Sequence, residues 1–484
     1  MQHSDRESRI FSEGKIITFR NFNRDVLEYA EELRQKGVCS GEDRVLLKSH
    51  NSYSYCVALF SLMHLNLSVV LVDTQLKLED VEKILSTTDA KWVLTDDLPA
   101  LFKDECRVIP LPKPEVFDSE IDFNDKIDLK DWEKRRDAVI LYSSGSTGEP
   151  KGIVKSGSSV MDNAKDTVWA MGYKNDDVFL PLVPFSHVWG FSLLINWWLT
   201  NCSLMIRSYA SLSSILKPLV SNKVTVVDAS PSTLFLLLQH LKKKPEILSK
   251  VRDSSVRMWC TGGGLVTQKL KEDFLYHMGR PLLDGYGSSE MGNISMGSVY
   301  DSVGCGPLIP NVQVKVLSSE KMELPLGEVG EIFVKTSGMM EGYLVAPYEY
   351  CMDLEDGWFS MKDLGYLDEE NHLYILGRKD QAINRMGYTF YPAHIEKQVE
   401  SLGFEAKVIT VADEKKGMLL VLFVGSPEKN TATVRREVLK LLPSYMYPDK
   451  LICMEKLPCT SGGIHKINRR ELEKIIFREM QTSG

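Results

Sequence analysis

None of the nine cysteines stands in a Cys-x-x-Cys pair, and their number is odd. Wide, unpaired spacing argues against a zinc site or a disulfide framework and points to a reducing compartment. Long apolar runs are also missing. The longest, near Val188–Leu199, is too short to span a membrane and reads as a buried helix. The opening Met1-Gln-His-Ser-Asp-Arg-Glu-Ser is polar and mixed in charge, unlike a signal peptide, so the cytoplasm is the expected location. Basic residues are outnumbered: the net charge of −8 excludes the whole chain as a nonspecific nucleic-acid binder. There is no internal repeat and no low-complexity tract. What remains is an ordinary globular composition, 43% hydrophobic and 26% charged, over 484 residues, enough for two or more domains and a large core.

Strand and helix patterns alternate along the first hundred residues. Phe19–Lys36 is amphipathic, Arg44–Lys48 strand-like, Ser54–Leu65 helical, Ser68–Asp73 a strand, Leu78–Ser86 a helix and Trp92–Thr95 a strand. The pattern resumes with Val224–Asp228, Ser230–Lys244, Val256–Trp259 and Thr267–His277. Such alternation predicts parallel sheets covered by helices. After about Asn311 the pattern has period two, at Val312–Val316 and Gly330–Lys335, which predicts an antiparallel sheet with one face buried. The last hundred residues read as a small α+β unit with a hairpin over Val408–Val424 and helices at Thr431–Leu441 and Arg469–Met480.

The chemistry begins at Leu141-Tyr-Ser-Ser-Gly-Ser-Thr-Gly-Glu-Pro-Lys-Gly152. The preceding run Asp137–Tyr142 reads as a buried strand, and Ile153-Val154 as a second short one. Glycines let backbone N–H groups curl toward oxygens, Ser143, Ser144, Ser146 and Thr147 add hydroxyls, and Lys151 adds charge. This is a design for holding a polyphosphate. The competing reading is a flexible polar linker, which seldom sits between two apolar strands. It is not a Walker A loop, because Glu149-Pro150 separate the last loop glycine from the lysine.

This segment resembles the signature of the adenylate-forming superfamily, which includes acyl- and aryl-CoA synthetases, peptide-synthetase adenylation domains and luciferases. The resemblance runs from this loop almost to the C-terminus and is looser over the first 130 residues. It implies an α/β fold: a large N-terminal domain of helix-covered parallel sheets with a small β-barrel-like part, residues 1–379, then a small mobile α+β lid, residues 380–484. It implies that Ser143, Ser144, Gly145, Ser146, Thr147, Gly148 and Lys151 hold ATP phosphates.

Asp284-Gly-Tyr-Gly-Ser-Ser-Glu290 is by itself an ordinary tight turn with an exposed ring. Beside the phosphate loop it looks like the family's Tyr-Gly-x-Thr-Glu motif. Tyr286 is then expected on adenine, Ser289 on phosphate and Glu290 on Mg²⁺, a hard cation suited to carboxylate oxygen. Asp284, Gly285, Gly287 and Ser288 complete that nucleotide-binding stretch. Thr261-Gly-Gly-Gly-Leu265 reads first as a strand-to-helix turn; the resemblance implies that Gly263 and Gly264 border the adenine site and the acyl pocket. Pro184-Phe-Ser-His-Val-Trp-Gly190 resembles the Phe-x-His-x-x-Gly segment, placing His187 near the substrate carboxylate and phosphates and Trp189, with Gly263 and Gly287, in the acyl pocket. Amino-acid-activating relatives carry an Asp in this region; none stands between Phe185 and Trp198, which disfavours an α-amino acid.

Trp358-Phe-Ser-Met-Lys-Asp363-Leu-Gly resembles Trp-x-x-Thr-Gly-Asp-Leu-Gly, so Asp363 is expected on ribose, although Met361-Lys362 replaces Thr-Gly. From the next motif the resemblance implies Arg378 on ribose or phosphate, Asp380 as the hinge and Gly387 in the thiol channel. Lys466 matches the lysine of Gly-Lys-Ile-x-Arg-Arg-x-Leu, with Ile464 and His465 making the loop two residues longer. Lys466, Thr147, His187 and Glu290 form the implied catalytic set. The expected reaction activates an aryl or aliphatic carboxylic acid to acyl-AMP with ATP and Mg²⁺, then transfers it to the thiol of CoA. A local basic patch for CoA or an acidic partner is compatible with the charge. One alternative acceptor is a phosphopantetheine carrier protein. An alternative of another class is a non-catalytic homologue that only binds nucleotide or carrier protein.

Overall fold

The computed structural model describes residues 8–38, 44–76, 78–96, 107–113, 126–144, 150–207, 212–221, 223–264, 266–379, 383–385, 388–390, 392–413, 417–426, 431–459 and 467–481. Two eight-stranded sheets dominate. In the first, Leu282–Ser288, Met258–Gly262, Val226–Asp228, Val178–Pro181, Ser203–Ile206 and Arg9–Ser12 run parallel, with antiparallel edges at Gly292–Met296 and Lys15–Thr18. In the second, Val139–Ser144, Ser68–Leu71, Arg44–Lys48, Trp92–Thr95 and Arg107–Pro110 run parallel. Pro150–Lys155, Gly342–Ala346 and Glu349–Cys351 extend it antiparallel.

The apolar strands are buried on both faces, as parallel sheets require. Val139 and Leu141 of the second sheet and Phe179, Val226 and Cys260 of the first share one core with helices Tyr53–His64 and Val188–Thr200. At its centre Phe19, Phe22, Phe60, Trp197 and Trp198 meet at tilted and edge-on angles, the arrangement ring quadrupoles favour. Residues one step along each strand face the opposite way, so Leu180, Val227 and Trp259 join a second core under helices Pro231–Lys242 and Gln268–Met278.

The third sheet corrects one expectation. Val312–Leu317, Gly330–Thr336, Phe359–Leu367 and Leu373–Arg378 form an open four-stranded antiparallel sheet rather than a barrel. Closure would need its outer strands to pair. Instead one face packs Val316, Ile332, Val334 and Leu373 on Met291 and Ile294 of the first sheet's edge. Further on, the expected hairpin forms from Glu405–Asp413 and Gly417–Gly425, and Lys450–Met454 joins it in parallel after helix Thr431–Leu441. Apolar clusters cover both faces of this small sheet, one containing Ile395 and Val434, the other Leu472 and Ile476. Among the described residues no helix is long and apolar enough to cross a membrane.

Candidate active site

Residues just past the carboxyl ends of strands in the two large sheets meet, Asn51 donating to Val183 O and Asp73 lying against His187, and the carboxyl edges of parallel sheets ordinarily bind ligands. The phosphate-loop segment is a hairpin: Val139–Ser144 pairs antiparallel with Pro150–Lys155, placing Ser143 opposite Lys151. Gly145, Ser146, Thr147 and Gly148 lie outside the described residues, as do the side chains of Ser143 and Ser144. Lys151 is exposed, its ammonium 5.2 Å over the ring of Tyr343. The Tyr343 hydroxyl donates to Glu290 Oε1 at 2.9 Å. One tyrosine thus joins the loop lysine to the motif carboxylate. Burial first, then the Glu290 charge, push the Tyr343 hydroxyl above its usual range, so it stays a donor.

Lys155, one strand residue beyond the loop's second apolar pair, is only 2% exposed. Its ammonium donates to Gly338 O at 2.5 Å and lies 3.5 Å from Ser289 O. Burial pushes this ammonium down to about 8, with the Glu290 charge pulling it back. It pins the turn that carries Ser289 and Glu290 to the Gly338 loop.

Asp284 to Ser288 occupy strand Leu282–Ser288, whose register slips between Tyr286 and Gly287. A side chain at Gly287 would meet Gly292 O at 2.5 Å, so the two chains approach too closely for any other residue. The slip coincides with the site: Tyr286 donates its hydroxyl to Asp363 Oδ2 at 2.6 Å, and Arg378 Nη1 reaches Asp363 Oδ1 at 3.1 Å. Gly285 lies opposite Gly262 in register, and Ser288 Oγ accepts from Met291 N–H. Asp284 turns away. Its buried carboxylate lies 3.5 Å from Lys271, and burial pushes it up to about 6 against the lysine's pull. The structure therefore brings Tyr286, Asp363 and Arg378 together.

The Met361-Lys362 departure keeps its turn. Lys362 has φ +56°, the left-handed conformation that glycine adopts without cost, and Met361 is buried beside Ile332 and Val334. Lys362→Gly should raise the urea midpoint, by about 0.5–1 kcal/mol of stability after the glycine's extra unfolded-state entropy is subtracted. The lost 3.9 Å contact to Glu331 involves a lysine side chain 61% exposed and weighs little. An unchanged or lower midpoint would show that the turn is unstrained.

His187 stands at the N-cap position of helix Val188–Thr200 without a side-chain cap bond, and its Nε2 lies 2.9 Å from Asp73 Oδ2. Burial would raise the Asp73 carboxyl; hydrogen bonds from His187 and Gln75, with the His187 and Lys48 charges, outweigh it and hold the group below its usual range. Gly263 has φ +69° and lies against Trp189, 3.9 Å from the ring to where its Cβ would stand, while Gly264 faces Pro231. The implied pocket residues His187, Trp189 and Gly263 are therefore adjacent. Asp380, Gly387 and Lys466 lie outside the described residues. Cys459 and Ile467, which flank the segment of Lys466, pair as an antiparallel bridge.

A family described as "AMP-binding enzyme" matches residues 1–344. The chain belongs to the AMP-binding enzyme family. The adenylate-forming resemblance read from the motifs is thereby shown. Among similar proteins, a 2-succinylbenzoate–CoA ligase of Bacillus cereus is 28% identical over 481 residues, covering 96% of this chain and 94% of that protein. One from Enterococcus faecalis is 25% identical, covering 92% of each. The o-succinylbenzoate CoA synthetase of Bacillus subtilis, solved with its acyl-adenylate intermediate, superposes with a TM-score of 0.80 at 24% identity over 97% of this chain and 96% of that one. ATP-bound MatB from Rhodopseudomonas palustris gives 0.82 at 22% identity, covering 98% and 96%. These likenesses show that the two large sheets, the third sheet and the C-terminal unit are the fold of adenylate-forming enzymes.

Three residues that touch these candidates escaped the sequence reading: Asp73, Lys155 and Tyr343. One had a signal. Asp73 closes an apolar run predicted as a parallel strand, and the carboxyl ends of such strands are where ligands bind. Tyr343 and Lys155 had none, since their partners come from segments distant in sequence.

Proposed function

We propose that this AMP-binding enzyme is an acid–CoA ligase that activates an aryl or aliphatic carboxylic acid to acyl-AMP and passes the acyl group to CoA. The observation that carries it is the convergence of Lys151 and Glu290 on Tyr343, beside the Tyr286–Asp363–Arg378 cluster. Attack of a carboxylate on the α-phosphate joins two anions, so charge neutralisation and positioning dominate the barrier. In this reading Ser143 to Gly148 and Lys151 hold the β- and γ-phosphates. Tyr286 packs on adenine, and Asp363 accepts from the ribose hydroxyls in exchange for the tyrosine hydroxyl it now binds. Arg378 keeps that carboxylate oriented, and Ser289 contacts phosphate. The donor set fits Mg²⁺: Glu290, a carboxylate held by Tyr343, would offer the hard oxygen that this cation takes together with substrate phosphates and water. A bound Mg²⁺ would supply further neutralisation of phosphate charge.

Lys466 bridges the acid's carboxylate and the α-phosphate, and pyrophosphate departs. The thiol then attacks the acyl carbon and AMP departs. A lid formed by residues 380–484 turns at Asp380 between the two steps, opening a channel past Gly387. CoA is favoured over a carrier protein because the similar curated proteins are CoA ligases. The free cysteines among the described residues support a reducing, cytoplasmic setting. ATP–pyrophosphate exchange with benzoate-like, cinnamate-like and medium-chain fatty acids tests the reading. Exchange with several of these, none with the standard amino acids, and CoA-dependent AMP release are the expected results. A standard amino acid that outcompetes every simple acid would overturn it.

A further inference from the structure

Asp73 stands two residues past strand Ser68–Leu71, at the carboxyl end of the second sheet. Its carboxylate is divided between two partners. Oδ1 accepts from the Gln75 backbone N–H at 2.8 Å, and Oδ2 lies 2.9 Å from His187 Nε2. The turn that carries Asp73 is tied back to its own sheet, because Lys48 Nζ donates to Thr74 O at 3.0 Å. Asp73 is therefore a fixed acceptor. His187 comes to it from the segment after strand Val178–Pro181 of the first sheet.

Holding the chain in place does not account for this pair. Asn51 already grips the segment: its Nδ2 donates to Val183 O and its Oδ1 accepts from Phe185 N–H, both at 2.8 Å. His187 N–H donates to Pro184 O, and His187 O accepts from Phe191 N–H at the start of the helix. Gly190 lets that start press on the segment, since a Cβ there would lie 2.0 Å from Pro184 O. The backbone is thus set without Asp73, whose bond goes to the ring. Nor does the pair fill a core, for the His187 side chain is 40% exposed. Burial would raise the Asp73 carboxyl, but the bonds from His187 and Gln75 hold it below its usual range. An ionised carboxylate only accepts, so Nε2 carries a proton. Nδ1 is not spent on capping the helix, and among the described residues no hydrogen bond reaches it.

We infer that Asp73 is a positioning residue for the reaction: it fixes the ring of His187 with Nε2 protonated, so that Nδ1 is the nitrogen left for the substrates. The inference rests on the acid–CoA ligase reading, in which His187 lies beside the acid's carboxylate, and deepens it. Which ring nitrogen of a histidine carries the proton is set by the bond the other makes, and a carboxylate is a strong way to set it. Without that acceptor the half-exposed ring turns about its χ2 bond and exchanges tautomers. The nitrogen presented to the acid is then the wrong one, or is misaimed, for part of the time.

Pyrophosphate exchange with the best simple acid tests this on the full chain, with Asp73→Ala, Asp73→Asn, His187→Ala and the double variant Asp73→Ala/His187→Ala. Asp73→Ala should lower kcat/KM for the acid about tenfold, the effect of one hydrogen bond to a charged group, with the KM for ATP unchanged. In the His187→Ala background the same substitution should cost nothing further, whereas a purely structural role would cost as much there. Asp73→Asn keeps the shape and an oxygen that can accept from Nε2–H. It should recover part of the loss, and it takes the place of the alanine variant if that one does not fold. Nitrogen NMR of histidine-labelled protein reads the ring apart from turnover, the His187 signals being those absent from His187→Ala. The neutral ring should be protonated on Nε2 alone in the wild type and should show both tautomers in Asp73→Ala. A wild-type ring protonated on Nδ1 would overturn the inference while leaving the ligase reading intact. So would no loss in Asp73→Ala, or a loss undiminished in the double variant. Exchange with no acid at all would overturn the ligase reading, and this inference with it.

Discussion

Lys466→Ala is expected to slow acyl-adenylate formation by two or more orders of magnitude, about 3 kcal/mol of barrier. The lysine is the cation assigned to the bond-forming step, where negative charge on the acid's carboxylate and the α-phosphate is brought together. Removing it withdraws stabilisation that solvent cannot supply once the site is closed. Thioester formation from a supplied acyl-adenylate should survive much better, because in the proposed mechanism pyrophosphate has by then gone and the lid has turned. Single-turnover assays of the two half-reactions separate these effects. Equal loss in both, or loss in neither, would sink the assignment.

Glu290→Ala should reduce adenylation by about 100-fold, the size of effect seen when a preorganised electrostatic group is removed from a charged transition state. Tyr343→Phe provides the finer test. It leaves the ring under the Lys151 ammonium but deletes the hydroxyl that fixes Glu290 Oε1. The carboxylate stays but is less well oriented, so the expected loss is about tenfold, within the range for a charged hydrogen bond of roughly 1.5 kcal/mol. The informative readout is magnesium. Tyr343→Phe should shift the half-saturating Mg²⁺ concentration upward while leaving the KM for the acid in place. An unchanged magnesium dependence would make Tyr343 a packing residue and loosen the link between Glu290 and the metal.

Much of the site was legible because its parts are local. Phosphate binding asks for glycines, hydroxyls and one lysine within a dozen residues, and Ser143 to Gly152 supply all of them in one loop. The strands and helices were legible for a similar reason: burial period and length are written along each segment, and helices Phe19–Gln35 and Thr431–Leu441 formed where the apolar pattern placed them. The barrel-like expectation failed because closure is a relation between strands distant in sequence, and here one face of the four-stranded sheet found apolar cover on the first sheet's edge instead.

The sequence by itself determined the chemistry of the nucleotide site and the alternation that makes parallel sheets, since both rest on short-range order of residue types. The expectation against an α-amino acid came from one segment, Phe185–Trp198, that holds no Asp. Tertiary structure alone decided which groups meet. Asp73 reaches His187 across 114 positions, Tyr286 reaches Asp363 across 77, and Tyr343 reaches Glu290 across 53. The physical reason is that hydrogen bonds and burial act over a few ångströms of space, whereas the chain brings their partners together only when its sheets are stacked and their carboxyl edges face one region.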